Sequence, residues 1–213
     1  LNEAKTFLKK AINFKPDYTE AYINLGEIEL KLNRLEKVEI IFKKVIELKS
    51  DFIRAYKILG KILYDLYRLE EAIKYFKKVI EFEPSDSLAY SNLGNAQSEY
   101  GKFEDAEVSF DKAKKLNPNL PEVHINIGAL KTNLGKLEEA EASFKKTIEL
   151  KPDFVKAYYA LSKIKKFKKE DEYFIEMSRL SQDTSLSDDK LCYINFAFAK
   201  AAEDLNQYAK SFK

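Results

Sequence analysis

The sequence predicts an all-α solenoid built from repeated helix-turn-helix units, and three observations predict it. Four kinds of residue recur in one register every 34 positions. Inside each period the apolar residues fall at three- and four-residue steps, the spacing of one helix face. Six glycines and five prolines are scattered through 213 residues, whereas a sandwich or barrel of short strands needs them clustered in turns.

Each column has a physical reason. Gly26, Gly60, Gly94, Gly128 and Ser162 lie in mid-helix. Glycine there costs about 1 kcal/mol against alanine, so its recurrence points to two helices too close for a side chain. Ala4, Val38, Ala72, Ala106 and Ala140 do the same on the facing helix. Pro16, Ser50, Pro84, Pro118 and Pro152 stand at the end of each second helix, which a missing amide and a clash with the preceding turn bring to a stop. Asp17, Ser85 and Asp153 follow directly and are read as caps that start the next helix. Tyr22, Tyr56, Tyr90, His124 and Tyr158 make the fourth column.

Taken in order, residues 1–18 match only the second helix of a unit, with Ala4, Leu8 and Ala11 facing an absent first helix, so the array is expected to begin inside a repeat. Residues 19–52, 53–86, 87–120 and 121–154 are complete units. In each, two amphipathic helices fold back at a short break, as at Leu32 to Arg34, Tyr100 to Lys102 and Leu134 to Lys136. The pattern loosens in residues 155–187, a degenerate unit. There Lys163, Lys165, Lys166, Lys168 and Lys169 are read as a solvated helix face, and Met177 and Leu180 mark a short helix. Residues 188–213 form an incomplete unit, with Phe196, Phe198 and Ala199 expected on the apolar side of its helix and a partner helix starting at Tyr208.

The segment AYSNLGNAQSEYGKFEDAEVSFDKAKKLNPN, Ala89 to Asn119, resembles the tetratricopeptide repeat family nearly column for column. The resemblance covers most of the chain and implies a right-handed superhelical array of hairpins that binds other proteins. Val38 and Ser50 depart from the family's Ala and Pro without losing the register. The tail, carried by Lys165-Lys166-Phe167, Asp171, Leu186-Ser187 and Phe196 to Leu205, resembles the junction in bacterial proteins that join such arrays to a sulfotransferase domain. That resemblance implies a catalytic domain beyond Lys213. A worn final repeat acting as a cap is the plainer account.

Composition narrows the chemistry. Lysine and arginine (37) nearly balance aspartate and glutamate (35), so the summed field gives no reason to expect nucleic acid as a partner. One cysteine, Cys192, and one histidine, His124, exclude a disulfide within the chain and most transition-metal sites; both are read as packed residues, and no metal or small-molecule cofactor is expected. No apolar run approaches the roughly 20 residues that span a bilayer, so membrane insertion is not expected and a cytoplasmic location is. No glycine-rich phosphate loop is present. Carboxylate pairs such as Glu70 with Glu71 and Glu138 with Glu139 start second helices, where the helix dipole favours negative charge. No catalytic residue is assigned.

A protein or peptide partner is therefore expected on the concave wall lined by first helices. In register, that wall carries Glu20, Asn24, Glu27, Lys57, Lys61, Tyr64, Asn92, Asn95, Asn126 and Tyr159. Asn24, Asn92 and Asn126 share a column broken by Ile58, and a row of amides can both donate to and accept from an extended backbone. This row resembles the asparagine ladder of nuclear and cytoplasmic O-linked N-acetylglucosamine transferases. The family's clamp for chaperone carboxylates is matched only by Lys57 and Asn92. Lys61, Glu122 and Asn126 depart from it, and Glu122 would repel a carboxylate.

Overall fold

The computed structural model describes residues 2–205. Among the described residues there are twelve helices and no strand: α1 (Asn2–Phe14), α2 (Thr19–Lys31), α3 (Leu35–Leu48), α4 (Ile53–Asp65), α5 (Leu69–Phe82), α6 (Ser87–Glu99), α7 (Phe103–Leu116), α8 (Pro121–Asn133), α9 (Leu137–Leu150), α10 (Val155–Ile164), α11 (Glu172–Leu180) and α12 (Asp188–Asp204). The chain divides into two compact units, Leu1–Leu116 and Asn117–Lys213. In the first, α2 packs on α3, α4 on α5 and α6 on α7, with α3 against α4 and α5 against α6 joining the hairpins. In the second, α8 packs on α9, α9 on α10, and α12 on both α10 and α11. The partner helix expected from Tyr208 lies outside the described residues.

The turn inside each hairpin closes in one way. After α2 the Arg34 amide donates to the Glu29 carbonyl at 3.0 Å, and Arg68 to Leu63, Lys102 to Gln97 and Lys136 to Lys131 repeat that bond at 2.8 to 2.9 Å. This closure needs a left-handed residue one position earlier. Gly101 and Gly135 take it at φ 85° and 71°, but the first two hairpins place Asn33 (52°) and Tyr67 (58°) there. For tyrosine that backbone costs about 1–2 kcal/mol.

Between hairpins the expected caps are not where the sequence puts them. The residues at the cap positions of α2, α4, α8 and α10 are Tyr18, Phe52, Leu120 and Phe154, none with a side-chain cap bond. Asp17 and Asp153 stand one residue too early. Phe52 and Phe154 pack against the cores, so burial of the ring replaces the lost hydrogen bond at those two starts. At α6 the cap is Asp86, whose carboxylate accepts from the Ala89 amide at 3.0 Å, and Ser85 precedes it. The prolines are not indispensable as stops: α3 ends at Leu48 before Ser50, and Lys49 there has nearly the same backbone (φ −144°, ψ 87°) as Lys151 before Pro152 (φ −146°, ψ 89°).

The glycine column does mark close approach, and the neighbour is a ring on the second helix of the same hairpin. A Cβ on Gly26, Gly60 or Gly94 would lie 2.7–2.8 Å from Phe42, Phe76 or Phe110, and one on Gly128 would collide with Phe144. Those rings are essentially buried. Each glycine costs about 1 kcal/mol of helix propensity, while sealing a phenylalanine gains about 1.5–3 kcal/mol.

The last three helices depart from this pattern. The basic run is not a helix face: α10 stops at Ile164, and the chain from Lys165 to Lys168 is extended with Phe167 as a buried plug. The Phe167 amide donates to Asp204 of α12 at 3.2 Å. Lys165 lies 3.0 Å from Asp171 and 3.5 Å from Glu141. On α12 the buried face is Ile194, Ala197, Ala201 and Ala202. That register turns Cys192 outward and leaves Phe196 64% exposed, which corrects both as core residues. Phe198 does turn inward and stacks on Phe174 with ring centroids 5.3 Å apart. Small side chains let α12 approach closely, and the bulky residue falls on the other face.

Candidate functional site

Three of the first helices, α4, α8 and α10, are fixed at their starts by the aromatic column. Tyr56 donates its hydroxyl to the Ser50 carbonyl at 2.9 Å, and Tyr158 to the Pro152 carbonyl at 3.1 Å. His124 does the same through Nε2, 2.7 Å from the Pro118 carbonyl, which sets Nε2 as the protonated nitrogen. The column therefore ties α4, α8 and α10 to the connection six residues upstream. It explains why a histidine can stand among tyrosines: the position requires a ring with a donor at its tip.

On α2, Asn24 is exposed and Glu27 is half-buried in a 2.9 Å ion pair with Arg54 of α4. On α4, Lys57 does not stand free. It reaches Glu83 at 2.6 Å and Asp86 at 2.7 Å, so the cation expected on the wall instead bridges to the connection between α5 and α6. Burial alone would pull the Lys57 ammonium down, but these two carboxylates outweigh it and hold its pKa above the ordinary lysine value. One of the two residues that matched a carboxylate clamp is thus already neutralised. Lys61 is exposed, and Ile58 is half-buried in the break of the amide row. Tyr64 is half-buried; burial first, then Glu99 and Asp65, push its hydroxyl pKa up. Asn92 and Asn95 are half-buried on α6. Asn24, Lys61, Asn92 and Asn95 all belong to the first unit.

The second unit holds Asn126, half-buried on α8, and Tyr159 on α10. Tyr159 meets Tyr193 of α12 edge-on at 5.5 Å, with Lys163 4.7 Å over its ring. Sequence reading missed Tyr193, because the tail shows no repeat register that would align it with the first helices. The carboxylates at second-helix starts serve ion pairs: Arg68 joins Glu71 at 2.7 Å and Glu39 at 2.6 Å, tying α3 to α5, and Glu139 meets Lys131 at 3.0 Å. Among the described residues no group of three or more His, Cys, Asp or Glu is placed to hold a metal ion, and no helix is long and apolar enough to cross a membrane.

Stacked hairpins, with no strand among the described residues, define a helical-repeat scaffold of the kind that binds other proteins. Tetratricopeptide repeat models match residues 19–52, 87–120 and 121–154, and a further model of the repeat matches residues 60–101. Together these span more than half of the sequence, and the chain belongs to the tetratricopeptide repeat family. No protein of curated function matches it in sequence. Solved structures share the fold. PilW, a widely conserved type IV pilus biogenesis factor, is 21% identical with a TM-score of 0.71 over 91% of this chain and 90% of its own. The 41-end segment of MamA from Desulfovibrio magneticus RS-1 is 23% identical with a TM-score of 0.66 over 72% and 86%. YrrB, described as having an unusual peptide-binding site, is 20% identical with a TM-score of 0.59 over 96% and 95%.

Proposed function

We propose that the chain is a scaffold that holds an extended or helical segment of a partner protein on the face of its first helices, using Asn24 and Asn92 of the first unit for backbone contacts and no bound cofactor. The observation that carries this reading is the recurrence of amide side chains in register on those helices, with Asn24 exposed and Asn92 half-buried, so both reach the surface. A polar amide row suits main-chain partners and does not select a sequence strongly. The balanced net charge of +2 supports a protein rather than a nucleic acid.

The test is capture of a partner from lysate by the wild-type chain and by Asn24→Ala/Asn92→Ala, with thermal melts to show that both are folded. Losing two amide hydrogen-bonding groups is expected to weaken capture roughly tenfold. Undiminished capture by the folded double variant removes the amide row from the site. A second reading, that the array recruits substrates for a sulfotransferase domain, rests on the tail segment from Lys165 to Leu205, where the hairpin pattern gives way to Phe167 and the short α11. A reading frame that continues into a strand, a phosphate loop and a helix would support it.

A further inference from the structure

We infer that the starts of α10 and α12 form a pocket for one bulky apolar side chain carried by an acidic peptide. The inference rests on the scaffold reading in taking the ligand to be a peptide, but it concerns a place in the second unit where the amide row has no member. A recess of about 250 Å³ opens there, with Phe154, Val155 and Tyr193 as its apolar wall. It is smaller than the usual small-molecule pocket of 300–1,000 Å³ and matches a single inserted side chain.

Its rim is cationic. Lys151 lies 5.5 Å over the Phe154 ring and Lys156 5.3 Å over Tyr193. Neither of these two lysines has an ion-pair partner among the described residues. The rings hold them in place without cancelling their charge. Of the remaining charges on the rim, Lys190 is paired with Asp153 at 3.0 Å, and Asp189 offsets one lysine. Asp188 and Asp189 in the first turn offset the positive end of α12, whereas α10 starts with neither a side-chain cap bond nor an acidic residue in its first turn, so its positive end adds to the field.

The larger recess of the same unit, about 650 Å³ beside Tyr158 and Tyr173, lacks this imbalance. Lys145 is paired with Glu141 at 2.8 Å, Lys146 with Glu149 at 2.6 Å, and Glu176 with Arg179 at 2.6 Å. Uncompensated positive charge around an apolar hole selects a ligand with an apolar anchor flanked by carboxylates, which steer its approach while the anchor supplies the buried contact.

The probe is a fluorescent seven-residue peptide with one central phenylalanine flanked by glutamates, titrated with the full chain and followed by anisotropy. Wild type is expected to bind it saturably. Replacing the phenylalanine by alanine, or the glutamates by lysines, is expected to weaken binding at least tenfold, as is Lys151→Glu/Lys156→Glu, which changes exposed side chains only. Asn92→Ala should bind the probe as wild type does. Equal binding of all three peptides, or wild-type affinity in the double lysine variant, overturns the pocket. A chain that ignores the probe yet captures partners through its amide row loses this inference alone. Failure of both assays removes the scaffold reading with it.

Discussion

In the hairpins α2/α3, α4/α5, α6/α7 and α8/α9, a glycine on the first helix faces a phenylalanine sixteen residues later, and the ring seals that hairpin from within. From α10 to α12 the glycine position holds Ser162, the ring position holds Ser178, and the sealing is done by parts far apart in sequence: Phe167 from the extended stretch, Phe174 and Met177 from α11, and the small face of α12. Ser162 turns its hydroxyl back to the Tyr159 carbonyl at 2.9 Å and so satisfies itself without a partner helix. The two regions show that a hairpin repeat is held by local pairs, and that where the pair is lost the chain needs long-range contacts to close its core. The charges differ in parallel. On the first helices, Lys57 and Glu27 are held in ion pairs, whereas Lys156 and Lys163 of α10 lie over rings.

The largest effect should come from breaking the local pair. Gly128→Ala places a methyl group against the buried Phe144 ring. Overpacking costs about 1–3 kcal/mol and outweighs the roughly 1 kcal/mol gained in helix propensity. Ser162→Ala at the same column should shift the melting midpoint little. Circular-dichroism melts of both variants would check the contrast, and equal shifts would remove it.

Next in size is a difference in pH response at one buried column. Glu29 is buried with Lys5 and Arg34 as its partners, while Lys165, four periods later, sits between Asp171 and Glu141. Burial raises the Glu29 carboxyl, but the Lys5 and Arg34 cations outweigh it and hold its pKa below the ordinary value. Its contribution is full above the unfolded carboxyl value of about 4.3 and is lost as pH falls through the lower folded value. For Lys165, burial pulls the pKa down, and Asp171 and Glu141 raise it above the ordinary value. That contribution is full below about 10.4 and is lost as pH rises through the folded value. Glu29→Gln should therefore flatten the acid limb of a stability-pH curve and Lys165→Met the alkaline limb; each variant altering the opposite limb would contradict the assignment. Smallest is Tyr67→Gly, which relieves a left-handed backbone at an exposed residue and should stabilise by up to about 1 kcal/mol, read from a denaturant midpoint.

The hairpin architecture was legible because its constraints repeat: a glycine that a ring requires, and a turn that a left-handed residue closes. The facing of α12 was not, because Phe196 and Cys192 look apolar, while the burial face is set by how closely Ala197 and Ala201 let two helices approach. The misplaced caps share a cause, since Asp17 and Asp153 have the right chemistry but Tyr18 and Phe154 occupy the cap positions. At the site, the residue types on the first helices could be read. What Lys57 does could not, because Glu83 and Asp86 lie a hairpin away in sequence and only the stacking of α4 on α5 and α6 brings them within 2.7 Å.

The glycine-phenylalanine seal has a genetic consequence. Because Gly60 and Phe76, or Gly94 and Phe110, lie within one 34-residue period, an unequal crossover that duplicates or excises one period carries the lock and its key together. Such an event leaves no cavity behind, and the array can lengthen or shorten by whole periods while each inherited piece remains able to close on itself.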